Sequence, residues 1–113
     1  MNSYEIWCNL VQGASDQEFC RDLKGYLDHL QEAGWIVGWR LRRRKLGLGP
    51  AELGEFNITI EVRNLVQLEA CFDQVARRTG EVDRLHRAVY SKVRDLRTAL
   101  YRDYPDPVFG RSE

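Results

Sequence analysis

The stretch Tyr4-Glu5-Ile6-Trp7-Cys8-Asn9-Leu10-Val11, followed across Gln12-Gly13-Ala14 by Ser15-Asp16-Gln17-Glu18, changes periodicity at its midpoint. Tyr4, Ile6, Cys8 and Leu10 alternate with Glu5, Trp7, Asn9 and Val11, which is the two-residue period of a strand with unlike faces. Ser15 and Glu18 then have the S-x-x-E spacing in which the two side chains cap orphan backbone N–H groups at a helix start. Phe19, Leu23, Tyr26, Leu27 and Leu30 recur at three- and four-residue steps, and Gly34 is placed to end the run in the left-handed region. A strand over 4–11 and a helix over roughly 16–33 are therefore predicted.

From Trp35 the period returns to two. Trp35, Val37, Trp39 and Leu41 share one face, and Ile36, Gly38, Arg40, Arg42 and Arg44 share the other. The Gly- and Pro-rich segment 47–54 reads as a hairpin loop, after which Phe56, Ile58, Ile60 and Val62 alternate with Glu55, Asn57, Thr59 and Glu61. Asn64 with Gln67 opens a second helix, whose buried stripe of Leu65, Leu68, Phe72, Val75 and Ala76 ends at Gly80. Beyond it Val82, Leu85, Val89, Val93, Leu96 and Leu100 step by three or four, predicting a third helix over roughly 81–103 in preference to a short strand at 86–93. The prolines at 105 and 107 exclude helix from the tail, so one domain over 1–104 and an extended arm over 105–113 are expected.

With 17 Lys+Arg against 17 Asp+Glu in 113 residues, the overall charge marks neither a nucleic-acid groove nor an anionic membrane surface. No apolar run reaches the roughly 20 residues of a membrane span, and the N-terminus lacks a signal-peptide pattern, so a soluble, cytoplasmic protein is expected. Cys8, Cys20 and Cys71 are odd in number, far apart and without His at ligand spacing. They predict three buried free thiols in a reducing compartment, with no disulfide framework, no metal site and no cofactor.

The order β-α-β-β-α-α calls for a two-layer α+β sandwich. The right-handed crossover makes the first two strands parallel, with the third filling the gap between them in the antiparallel sense. The strand Tyr4–Val11, the helix capped by Ser15, the hairpin Trp35–Val62 and the helix from Asn64 give an element order that resembles the dimeric α+β barrel superfamily, whose small ferredoxin-like chains pair sheet against sheet. The resemblance implies a homodimer through the open sheet face. It also implies a small organic ligand or substrate, since the superfamily includes monooxygenases, dismutases and isomerases. The usual fourth strand has no candidate here, which leaves an edge of the first strand to be covered by the tail or a partner.

Strand parity sends Glu5, Trp7, Asn9, Val11, Ile36, Gly38, Arg40, Arg42, Asn57, Thr59 and Glu61 to the face away from the helices. Trp7, Asn9, Arg40, Arg42, Asn57 and Glu61 are the candidate ligand-lining residues of a cavity between two such faces. The same mixture also suits a non-catalytic dimerisation module, or a solvated face of cross-strand ion pairs. The basic run Arg40-Leu41-Arg42-Arg43-Arg44-Lys45 raises an RNA-binding sheet, but the RNA-recognition signature is missing and alternation already explains half the run. Gly47-Leu48-Gly49-Pro50 precedes a strand, so no helix N-terminus follows to hold a phosphate. His29 and His86 are isolated in sequence; at the mouth of the sheet cavity either would serve as a general acid or base beside Glu5 or Glu61.

Overall fold

A computed structural model describes residues 1–105. The chain forms β1 (Asn2–Leu10), α1 (Asp16–Glu32), β2 (Gly38–Arg43), β3 (Phe56–Val62), α2 (Leu65–Ala76), α3 (Gly80–Tyr90) and β4 (Val93–Arg102). The four strands make one sheet in the order β2-β3-β1-β4, with every neighbouring pair antiparallel. β1 and β2 therefore run parallel with β3 between them, as expected. The helices cover a single face, giving a ferredoxin-like α+β sandwich.

The period-two pattern of β1 determines what lies beneath the helices. Ile6 and Cys8 are buried, and their neighbours in register, Ile58 and Phe56 of β3, complete the floor of the core. Onto it α1 lays Phe19, Leu23, Tyr26, Leu27 and Leu30, none more than 4% exposed. Full burial of side chains of this size contributes about 1.5–3 kcal/mol each, so this one stripe outweighs any surface ion pair. The N-cap half of each predicted box forms: Ser15 Oγ accepts from the Glu18 N–H at 3.2 Å, and Asn64 Oδ1 accepts from the Gln67 N–H at 2.9 Å, while the Glu18 carboxylate makes no return bond to the Ser15 backbone. Gln67 also accepts from the Arg63 N–H and donates to the Gly34 carbonyl, which ties the start of α2 to the end of α1.

Several expectations are corrected. The helix predicted over 81–103 is α3 followed by a ten-residue strand, β4, which pairs with the far side of β1 and supplies the missing fourth strand. A β-bulge disguised it. Trp7 pairs with Arg97 and Asn9 with Arg94, so Asp95 and Leu96 together oppose Cys8, and Asp95 takes φ +58°. The extra residue makes the step from Val93 to Leu96 three, and the polar Thr98 makes the step from Leu96 to Leu100 four, which imitates a helical stripe. α2 ends at Ala76 rather than Gly80, because Arg78 enters the left-handed region at φ +54° and breaks the helix. Ile36 is buried in the core instead of facing away: regular pairing of β2 begins only at Gly38, so strand parity does not extend back to it. Cys20 is exposed on the outer side of α1, and only Cys8 and Cys71 are buried. Leu65 and Phe72 of α2 are largely exposed as well. The arm expected over 105–113 lies outside the described residues apart from Pro105.

Asn9 holds the bulge in place. Its Oδ1 accepts from the Glu55 N–H at 2.9 Å, and its Nδ2 donates to Asp95 Oδ2 at 3.1 Å, stitching the ends of β3 and β4 across β1. Just before it Gly54 crosses β1 so closely that a Cβ would stand 2.3 Å from the Cys8 carbonyl carbon. Gly25, in the middle of α1, has open space around it. Opposite outcomes are expected from one substitution. Gly54→Ala should lower unfolding stability by at least about 2 kcal/mol, because the obstruction is backbone, whereas Gly25→Ala should raise it by about 0.5–1 kcal/mol. Urea unfolding of both variants checks this.

Candidate functional site

The sheet has two unlike faces. On the uncovered one, Arg42, Asn57, Trp7 and Arg97 lie in one cross-strand row, and Arg40, Thr59, Glu5 and Ala99 in the next. Arg42 donates through Nε and Nη2 to Asn57 Oδ1 at 3.1 and 2.7 Å. Asn57 Nδ2 donates to Glu5 Oε1 at 3.1 Å, and Thr59 Oγ1 donates to the same oxygen at 2.8 Å. Glu5 is thus a nearly buried carboxylate at the centre of a face without helices.

All six candidate residues therefore lie on this face or at its rim, but the structure divides them. Trp7, Arg42 and Asn57 converge on a pocket of about 270 Å3 under the hairpin loop, alongside Leu48 and Leu53. Asn9 spends both ends of its amide on the backbone stitch described above. Arg40 and Glu61 are exposed and stand apart from that pocket. The partners Glu5 and Thr59 were legible only as members of the face; their joint hold on Asn57 required the register. The basic run is largely taken up by the fold itself. Arg43 pairs with Asp16 and Glu55 and lies over the Phe56 ring, while Arg44 donates to the carbonyls of Pro50 and Leu53 and closes the loop.

The helix-covered face holds an apolar cavity of about 350 Å3. Tyr4, Ile6 and Ile60 form its floor and Leu96, projected inward by the bulge, one wall. Leu68, Cys71, Phe72 and Val75 of α2 close it on one side, and Tyr26 and Leu30 of α1 on another. Its polar groups come from rings. His86 of α3 stacks on Tyr90 with centroids 4.4 Å apart and meets the edge of Tyr26 at 5.6 Å, and Tyr4 meets the edge of Phe72 at 5.3 Å. The break at Arg78 makes this arrangement: it lets α3 turn away from α2 and carry His86 and Tyr90, one turn apart, to the cavity.

Burial sets the protonation of these groups. Desolvation lowers the pKa of His86; nearby Asp83 opposes that change and Arg78 reinforces it, so the imidazole is neutral at pH 7. Desolvation also pushes the Tyr26 and Tyr90 hydroxyls well above their ordinary range, and the Cys71 thiol to about 11. Beside the hydroxyl of Tyr4, the cavity therefore offers the phenols of Tyr26 and Tyr90, which remain hydrogen-bond donors, and a neutral imidazole that can accept or return a proton. His86 is not on the uncovered face, where pairing with Glu5 or Glu61 was expected, but on the opposite side of the sheet. His29 lies in the last turn of α1. Among the described residues no cluster of three His, Cys, Asp or Glu could hold a metal, and no helix is long and apolar enough to cross a membrane.

The sheet order and the single helical layer define a ferredoxin-like protein with a partly open apolar cavity on its helix-covered face. The chain belongs to DUF6614, a family of unknown function whose model matches residues 1–113. Its fold is similar to that of the protein At3g17210 from Arabidopsis thaliana, at TM-score 0.73 and 7% identity over 96% of this chain and 100% of that one. It is also similar to a dimeric protein of unknown function and ferredoxin-like fold from Bacteroides fragilis, at TM-score 0.58 and 11% identity over 90% and 95% of the two chains. No curated protein matches.

The lowered pKa of His86 makes stability depend on pH with a definite sign. Just below its ordinary value of 6.5 the unfolded chain binds a proton that the folded imidazole resists. Stability should therefore be complete above that value and fall as the solution is acidified through it. Asp28 and Glu81, whose pKa values are lowered by hydrogen bonds from Lys24 and Trp39 and from Arg84, lose their contributions only at lower pH. Thermal unfolding between about pH 7 and about pH 5 should show a steeper decline for the native protein than for His86→Phe.

Proposed function

We propose that the protein is a cytoplasmic homodimer, joined through its uncovered sheet face, in which each protomer binds a small, mainly apolar organic molecule in the cavity between sheet and helices. The observation that carries the ligand is the cavity itself: about 350 Å3 of apolar space whose polar groups, His86, Tyr26 and Tyr90, are few and close together. Such a composition is that of a small-molecule site, in which apolar walls provide affinity and a few polar groups fix orientation. The free thiols Cys8 and Cys71 fit a reducing compartment.

The uncovered face supports the seam. Glu5 already has only 12% of its side chain exposed, and Arg42, Asn57 and Thr59 satisfy it within the protomer. A second copy can therefore cover Glu5 without stranding its charge. Trp7, Ala99 and Tyr101 supply apolar area around it, and the B. fragilis neighbour is described as dimeric. In this reading Trp7, Arg42 and Asn57 belong to the seam, with Arg40 and Glu61 contributing charge on the same face.

Two measurements test the two halves separately. Sedimentation should give a dimer for the native chain and dissociation at micromolar concentration for Arg40→Glu, which inverts a charge on the seam; an unchanged Arg40→Glu dimer would remove the seam from this face. Calorimetry should detect binding of 2-naphthalenemethanol, weakened about tenfold or more in Leu96→Trp, which fills the cavity wall. Equal binding by that variant would place the probe elsewhere.

A further inference from the structure

His86 and Val75 line two spaces at once. On their inner side lies the apolar cavity, and on their outer side a pocket of about 430 Å3 whose other walls are Ala76, Arg78, Asp83 and Arg87. The outer pocket carries two cations and one anion. Asp83 is already engaged, since Arg87 Nε holds its Oδ2 at 2.9 Å. Arg78 has no carboxylate partner among the described residues, and its guanidinium lies near enough to the imidazole to bear on its protonation. It is also the residue at the break between α2 and α3, where φ +54° is a conformation that favours Gly or Asn over Arg. A long cationic side chain therefore stands at a strained position, unpaired, beside the imidazole that lines one wall of an apolar cavity.

We propose that the ligand is an amphipathic organic acid, its apolar body in the inner cavity and its carboxylate in the outer pocket against Arg78, with the His86 side chain beside the bond that joins them. This rests on the cavity reading above and names the chemical class that the site takes. An Arg–carboxylate pair at a partly solvated mouth supplies selectivity for the acid over a neutral isostere, while the apolar walls supply the affinity common to both.

The experiment uses the full chain and two probes of matching shape, 2-naphthoate and 2-naphthalenemethanol, at pH 7.5 by calorimetry. The native protein should bind the acid about tenfold more tightly than the alcohol. Arg78→Gln should bind both with the affinity the native protein has for the alcohol, while Arg84→Gln, whose partner is Glu81 outside this pocket, should keep the preference. Equal binding of both probes by the native protein overturns the proposal and leaves the cavity reading standing. A preference that survives in Arg78→Gln also overturns it, because the carboxylate is then held elsewhere. Binding of neither probe by folded protein removes the cavity reading and the proposal together.

Discussion

The alternation of β1 is the constraint on which the rest depends. β1 is flanked by β3 and β4, so each of its residues fixes the face of two neighbours in register. Ile6 and Cys8 require cover, which α1 supplies with its stripe from Phe19 to Leu30. Glu5 between them requires hydrogen-bond donors, and Asn57 and Thr59 of β3 supply those. A slip of one residue would bury Glu5 under the helices and expose Ile6 on the other face, so register and the division of labour between the faces are the same fact.

That division explains how the two sides differ chemically. On the uncovered side polar groups pair laterally, Arg42 with Asn57 and Asn57 with Glu5. On the covered side the helices do not fill all the space above the sheet. Helix α2 stops at Ala76, Arg78 reverses the backbone, and α3 returns at an offset that leaves the cavity beside Tyr4 and Ile60. Tyr26 meets His86 and Tyr90 edge to face while His86 and Tyr90 stack, so rings line this space instead of closing it.

Most of the fold was legible because its signals are local. The caps at Ser15 and Asn64 and the alternations of β1 and β3 read directly, and with the crossover rule they place β3 between β1 and β2. β4 was hidden because a bulge and a single threonine converted a two-residue period into steps of three and four, a conversion visible only once Trp7 pairs with Arg97 and Asn9 with Arg94. The candidate site was legible by half. Parity placed Trp7, Arg42 and Asn57 together on one face, yet it could not show that Asn9 is committed to the bulge or that Arg40 and Glu61 stand apart. The cavity on the other face left only indirect traces: His86 and Tyr90 at a four-residue spacing, and an arginine where the helix breaks. Neither identifies a cavity until three helices and the sheet are assembled around it.

The most direct measurement of this account is a crystal structure of the protein determined under xenon pressure, because an apolar cavity takes up xenon and the same map shows what covers the sheet. We expect xenon between Tyr26, Cys71 and Tyr90 on the helix side and a second protomer's sheet against Glu5 and Trp7 on the other. A cavity collapsed or filled by ordered water, with the Glu5 face open to solvent, would contradict the assignment of either face.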